Sequence, residues 1–598
     1  MRLNKKLVRL LLYINAGLAA LVSLYVIFSR ISNRTALHSQ SSSDSSSSLI
    51  SNIVESFNAK NEDSYVLVGI GFRTCTSFAF FESCNDKIND IYHILPSDHE
   101  VLKEIEIDYS QKELTGNKGR FTTINPYQIL LPYDVVTKYS TPVIDKLYVY
   151  NENEEYTMKD VPYGILLETK NTTKPDTLNS LGYYNAGYGL WYKVSTSYSN
   201  LYSNVNFLFN PKSDIPLPGW NRVSQYPLII NNIDKYSSGI EISLDDYKTT
   251  NFHNLDYEVY AYVKDRKSPQ VPKIELSVDS KKAPKYKIIQ LADLHIATGF
   301  GECLDPYPKL DYPVRNCLAD EKTLEFVNKV LDLEKPDFVV FTGDQIYAPK
   351  SHDSETALYK VVKPLIDRKI PYAMVFGNHD DEDGSLDRED LMNLAQYGSL
   401  PYSMSSHGPE DVDGVGNYML MVNNPDGTPA IMMYMLDSHS YAPGKPRGYD
   451  WFKESQRDFV RSLAEKNSKF AEHAVKLAFF HIPLFEFRNI NNLQPDQYEG
   501  NFREAVMSPN INTDMFQTLK DTGVKLISVG HDHVNDFCFD NDGVTLCQGG
   551  SGGYGGYGGY GGYRRRIRVF EIDTKTKALA SWKRVDGQLD EIVDYHAY

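Results

Sequence analysis

Apolar positions follow three different patterns along this chain. From Leu10 to Ser29 they form one uncharged, mostly apolar stretch, long enough at about 1.5 Å per residue to span a bilayer. Residues 63–275 instead show short alternating runs such as KLYVYNE, LWYKVSTSY and YEVYAYVK between turn residues, which predicts a β-rich accessory domain. From about residue 280 the runs become contiguous and rich in β-branched residues: KIIQLADLH, DFVVFTGD, YAMVFGNHD, VKLAFFH and VKLISVGHDH. Strands buried on both faces read this way. They alternate with helix-like segments such as LADEKTLEFVNKVLDLEKPD, so residues 280–598 are expected to be an α/β domain with helices layered on a mostly parallel sheet.

Each contiguous run ends in a polar block: Asp293-Leu294-His295, Gly343-Asp344, Gly377-Asn378-His379-Asp380, His481 and Gly530-His531-Asp532-His533. Open α/β sheets bind ligands outside the carboxyl ends of their strands, so the blocks are expected to converge at one edge of one sheet. Asp293 and His295 are separated by one residue, a spacing that turns both side chains of an extended segment the same way, and His531 and His533 share it. Asp293, His295 and Asp344 suit one divalent or trivalent first-row ion (Mn, Fe or Zn), and Asn378, His481 and His531 suit a second, with Asp344 as the bridge. Two such ions clamp the attacking and leaving oxygens of an in-line displacement and supply hydroxide near neutral pH. His379, next to Asn378, is expected to point away from the ions and to serve as general acid, with Asp380 as its orienting partner.

At 598 residues the chain is too long for one ordinary core, and its net charge of -16 argues against a nucleic-acid partner. Basic residues Arg2, Lys5, Lys6 and Arg9 precede the apolar stretch, which predicts a cytosolic tail (1–9), a transmembrane signal anchor (10–29) and a Ser-rich stalk (30–62), with the remainder lumenal. A cleaved signal peptide is the competing reading. Either one delivers the folded part to the secretory side: an endomembrane or secretory-pathway membrane, the vacuole or the cell exterior. Six cysteines fall into local couples, Cys75/Cys84, Cys303/Cys317 and Cys538/Cys547, and are expected to form three disulfides in that compartment. Asn33-Arg34-Thr35 and Asn171-Thr172-Thr173 are glycosylation sequons. Nothing in the sequence signals an oligomer.

The order D-x-H, G-D, G-N-H-D, H, G-H-x-H resembles the calcineurin-like metallophosphoesterases. That resemblance implies a four-layer sandwich over roughly residues 285–598. It also implies one ion on Asp293, His295, Asp344 and His533, a second on Asp344, Asn378, His481 and His531, and His379 as the acid to the leaving group. GHDHVNDFC and RRRIRVFEI are similar to the fungal dosage-dependent cell-cycle regulator phosphatases and to plant D-x-H-type purple acid phosphatase relatives. The fungal members imply a Ser/Thr phosphoprotein phosphatase, with a broad-specificity acid phosphatase, a phosphodiesterase and a non-catalytic binding protein as alternatives. Cytosolic phosphoproteins cannot meet a lumenal domain, so either the substrate is secretory or the topology differs. Gln345-Ile346-Tyr347 departs from the second aspartate and the arginine of classical Ser/Thr phosphatases, and leaves Tyr347 as an iron ligand or as a packed tyrosine.

Three further motifs remain. A GGY unit repeats from Gly552 to Tyr563, and is read as a mobile loop able to lie over the site. Arg564, Arg565, Arg566 and Arg568 are either phosphate contacts or a solvated strand face. Asp437-Ser438-His439 repeats the D-x-H spacing without partner blocks, so a structural or rim role is expected.

Overall fold

The computed structural model describes residues 274–598 apart from 352, 471, 472 and 559–561. Before them it describes 64–78, 81–85, 101–104, 122–149, 182–187, 189–209, 215–224, 228, 259–267 and 271. The chain divides into two compact units, residues 1–64 and 65–598. The expected anchor at 10–29 and the stalk lie outside the described residues, as do both sequons. Among the described residues no helix is long and apolar enough to cross a membrane.

The described part of residues 65–267 is mainly strand. A four-stranded sheet contains Tyr65–Phe78, Phe81–Asn85, Val101–Glu104 and Thr122–Pro132, and two three-stranded sheets follow. The described parts of the alternating runs fall largely in Val143–Val149, Leu190–Ser195 and Val259–Asp265. Cys75 and Cys84 face each other in the register of the first two strands, although their side chains lie outside the described set.

Two six-stranded sheets build the rest of the fold. The first contains β1 (Lys285–Leu291), β2 (Phe338–Thr342) and β3 (Tyr372–Val375). The second contains β4 (Tyr418–Asn423), β5 (Pro429–Met435), β6 (Val475–Phe479), β7 (Leu526–Val529), β8 (Cys538–Asn541) and β9 (Val544–Gln548). The chain then returns to the first sheet with β10 (Arg566–Asp573), β11 (Ala578–Val585) and β12 (Val593–Ala597). The orders are β3-β2-β1-β10-β11-β12 and β4-β5-β6-β7-β9-β8. β1, β2 and β3 run parallel, as do β5, β6, β7 and β9.

The sheets pack face to face, with Ile288, Phe338, Val340 and Val375 of one meeting Ile431, Met433, Leu477 and Leu526 of the other. The Tyr418 hydroxyl donates to the Met374 carbonyl (2.6 Å), a polar tie between them. Helices cover both outer faces. α1 (Ala319–Glu334) buries Phe326, Val327, Val330 and Leu331, which recur at one-turn spacing on a single stripe, against Ile289, Val339 and Phe341. α2 (Ser354–Arg368) covers the same face and is capped by Asp353, whose carboxylate accepts from the Glu355 amide (3.2 Å). On the second sheet α3 (Glu454–Lys466) and α4 (Met515–Asp521) bury Val460, Phe516 and Leu519 beside Tyr434, Ala478 and Ile527. This is the four-layer α/β/β/α arrangement. Each fully buried Phe or Leu in these layers contributes about 1.5–3 kcal/mol over an exposed one.

Contrary to the single-sheet expectation, the polar blocks come from two sheets. Those after β1, β2 and β3 belong to the first and those after β6 and β7 to the second. Every one of these strands is buried on both faces, so its sequence carries no mark of which sheet holds it.

Candidate metal centre

The loops after β1 and β2 continue the ladder beyond the strands. The Asp293 amide donates to the Gly343 carbonyl (3.1 Å) and the His295 amide to the Asp344 carbonyl (2.9 Å). Asp293, His295, Asp344 and His531 all have left-handed backbone, with φ of 54°, 49°, 53° and 79°. Non-glycine residues in this region cost on the order of 1 kcal/mol or more each, and persist where the surrounding structure fixes them. Here the strain lets strand ends curl so that their side chains meet.

Two buried groups result: Asp293, His295, Asp344 and His533; and Asp344, His481 and His531. In the first, His295 Nε2 lies 3.2 Å from His533 Nε2, and His533 Nε2 lies 3.3 Å from Asp293 Oδ1. In the second, His481 Nε2 lies 3.3 Å from Asp344 Oδ2, 3.2 Å from His531 Nδ1 and 3.2 Å from Asn378 Oδ1. Asn378 thus joins the second group, and Asp344 Oδ2, 3.7 Å from His295 Nε2, faces both. All seven expected ligand positions come together.

The donor chemistry fits cations. His481 Nδ1 donates to the Thr342 carbonyl (2.8 Å) and His533 Nδ1 to the Tyr557 carbonyl (2.7 Å), which turns each Nε2 inward toward the cluster. Burial, followed by the His533 imidazole for His295 and the His481 imidazole for His531, holds both rings well below the ordinary histidine pKa. Burial works the same way on His481 and His533, but Asp344 beside the first and Asp293 beside the second outweigh it, raising His481 to about 9 and His533 above its ordinary value, so cations bound here would displace protons from these two rings.

His379 stands at the rim, its ring 5.5 Å from that of His295, and its amide donates to Asp344 Oδ1 (2.9 Å). Its expected partner is corrected by the structure. Asp380 is fully buried and accepts from the amides of Gly377 (2.7 Å), Asp344 (2.8 Å) and Ile346 (2.9 Å), so it clamps the loops after β2 and β3 together. The residue that meets the His379 ring is Glu382, whose Oε2 accepts from Nδ1 at 2.5 Å. Tyr347 packs edge-on against both His295 and His379, as a packed tyrosine does.

A calcineurin-like phosphoesterase family model matches residues 286–535. Phosphatase DCR2 of Saccharomyces cerevisiae is 36% identical over 556 residues, covering 90% of this chain and 88% of its own length. The chain belongs to the calcineurin-like phosphoesterases. "Probable inactive purple acid phosphatase 29" of Arabidopsis thaliana is 34% identical over 52% of this chain and 85% of its own length. The solved purple acid phosphatase PPD1 from yellow lupin, Lupinus luteus, matches 66% of this chain at 12% identity and a TM-score of 0.35.

The Gly-rich repeat of this phosphoesterase is not the expected mobile lid over its described residues. It threads beneath the ligand loops, where a Cβ on Gly553 would stand 2.0 Å from the Leu294 carbonyl oxygen, and one on Gly556 2.5 Å from His533 Cε1. Between them Tyr554 is buried, its amide donating to Thr323 Oγ1 (2.8 Å), and Tyr557 stacks on His533 with ring centroids 4.0 Å apart. The Tyr557 hydroxyl reaches Glu504 (3.1 Å). Glycine is required here by close approach, not by flexibility. Gly556→Ala is therefore expected to destabilise the fold by about 1–3 kcal/mol and to disturb His533, read as a lower melting temperature together with reduced metal uptake.

The arginine run is also corrected. Arg565, Arg566 and Arg568 are buried: Arg566 pairs with Asp536 (2.6 Å), Arg568 donates to the Gln548 carbonyl (3.2 Å) and Ser581 (3.0 Å), and Arg565 to the Leu304 carbonyl (2.7 Å). They hold β10 and its approach in place and meet no part of the ligand cluster. Asp437-Ser438-His439 is structural as expected: Asp437 pairs with Arg388 (2.7 Å), Ser438 accepts from the Ile482 amide (2.8 Å) and His439 meets Gln456 (2.8 Å). Disulfides join Cys303 to Cys317 and Cys538 to Cys547, the latter across the β8–β9 pair just beyond the His531/His533 loop.

Proposed function

We propose that this protein is a two-metal phosphomonoesterase acting on phosphorylated Ser/Thr side chains of proteins, anchored by its N-terminal segment with the catalytic domain on the secretory side. The observation that carries the hydrolytic reading is the pair of ligand groups sharing Asp344, with His379 beside them and outside both. Asp293, His295, Asp344 and His533 would hold one ion and Asp344, Asn378, His481 and His531 the other. Bound there, the ions supply charge stabilisation to a phosphoryl group and activate water.

The remaining steps belong to the chain's own groups. Asp344 would serve both ions, Asn378 presents its carbonyl oxygen, and the backbone clamp at Asp380 fixes the loops that carry both. Glu382 takes up His379 Nδ1 and leaves Nε2 as the ring nitrogen available to give its proton to the leaving oxygen. The DCR2 match over most of both chains supports phosphatase chemistry. The plant relative named as inactive favours a second reading, phosphate binding without turnover.

The purified full chain, stripped with a chelator and reloaded with Mn, Fe or Zn, tests both. Hydrolysis of an aryl phosphate is expected to vanish on stripping and return on reloading. Phosphoserine and phosphothreonine peptides should give the higher kcat/KM. Equal values for peptide and aryl ester would favour a broad-specificity phosphatase, and a fully loaded protein that turns over no ester would leave only the binding reading.

A further inference from the structure

We propose that Tyr441 is a phosphoryl-binding residue, its phenol O–H donating to a non-bridging oxygen of the phosphate group on the Asn378 side of the centre. This deepens the phosphomonoesterase reading and rests on it. The Asn378 amide has one end in the ligand cluster, Oδ1 at 3.2 Å from His481 Nε2, and the other at Tyr441, where Nδ2 donates to the phenol oxygen (3.3 Å). The phenol therefore sits one amide group away from the second set of ligands, and the bond it accepts leaves its proton free to donate.

Three observations make it a contact for solute and not a packed side chain. Tyr441 is 46% exposed, unlike the buried ligands behind it. It is held at the ends of a short hairpin: Tyr441 bridges to Tyr449, and the Ala442 amide donates to the Gly448 carbonyl (2.9 Å). Its ring stacks on Tyr449 (5.3 Å), which packs edge-on to His531 (4.5 Å), so the position of the phenol is tied to that of a ligand.

Another donor near this side is already engaged. Arg388 binds Asp437, Asp381 and the Gly377 carbonyl, and the G-D-Q-I-Y block carries no arginine. A phosphate oxygen not taken by metal needs a neutral or positive donor, and Tyr441 supplies one.

The test is Tyr441→Phe in the metal-loaded full chain, with inorganic phosphate as the probe in titration calorimetry and metal content measured on the same samples. Phosphate affinity is expected to fall about tenfold, the order for one hydrogen bond to a charged group, with both ions retained. KM for an aryl phosphate should rise more than kcat falls. Unchanged affinity would overturn the assignment. So would a fall accompanied by loss of an ion, because Tyr441 would then serve only to orient Asn378. A wild-type protein that binds phosphate through Tyr441 but hydrolyses nothing would sink the phosphatase reading and leave this one standing.

Discussion

Asp344→Asn is expected to lower phosphate-ester hydrolysis by about 10³-fold or more and to reduce the occupancy of both ions at once. Asp344 is the one residue shared by the two ligand groups, with Oδ2 3.3 Å from His481 Nε2 and 3.7 Å from His295 Nε2. Burial works against its negative charge, yet His481, then His295 and His379, hold its pKa well below the ordinary carboxylate value, so it stays ionised. The amide replacement keeps the oxygen that accepts from the His379 amide (2.9 Å), and so spares the loop, while removing the charge two cations would share. A two-ion clamp supplies several kcal/mol at the transition state, and each 1.36 kcal/mol is tenfold in rate. Metal analysis beside steady-state kinetics checks the outcome. A variant holding two ions with activity within tenfold of wild type would show that Asp344 is not the bridge.

The ligand residues were legible because each closes an apolar run, so strand pattern and donor chemistry coincide at one position. What the chain could not show was which strands pair: β1 and β7 read alike, yet they lie in different sheets, because registers and neighbours are settled by packing between residues far apart in sequence. Asp380 is expected in the place that Glu382 fills for a related reason. Both are acids within three residues of His379, and only the path of the backbone sends Asp380 inward to three amides and Glu382 outward to the imidazole. Tyr557 carried no signal at all, since its stack on His533 depends on the Gly-rich segment turning back beneath the site. The arginine run was misread because guanidinium groups are rarely buried unless paired, and the partner, Asp536, lies about thirty residues earlier. The three alternating runs between residues 143 and 265 did become strands, because a half-buried pleat leaves its period in the sequence.

The uneven fate of these motifs follows a physical rule. Residues whose chemistry requires convergence, the histidines and carboxylates, were placed by the order of strands. Residues whose role depends on burial were not, because a charge or a glycine has the same letter in a core as in solvent. The Gly-rich segment makes the point: flexibility and close approach both demand glycine, and only the 2.5 Å from a Gly556 Cβ to His533 distinguishes them.

With His379 as the proposed acid, its loss should depend on the substrate as no loss of a metal ligand would. His379→Ala is expected to lower kcat about 10²–10⁴-fold for an alkyl phosphate such as a phosphoserine peptide, whose leaving oxygen must be protonated. For an aryl phosphate with an acidic phenol the loss should shrink toward nothing, and metal content should stay at two ions, because His379 lies in neither ligand group. Glu382→Gln should reproduce this dependence in milder form, roughly tenfold or more, since its carboxylate meets Nδ1 at 2.5 Å and touches no ligand set. Asp380→Asn should behave differently, impairing alkyl and aryl esters alike, since Asp380 holds the loops that carry Asp344 and Asn378 and not the ring of His379. A series of leaving groups of graded acidity, run on all three variants, separates the roles. An equal loss across the series for His379→Ala, or the loss of an ion with it, would remove His379 from proton transfer and make its ring a positioning group for the His295 ring beside it.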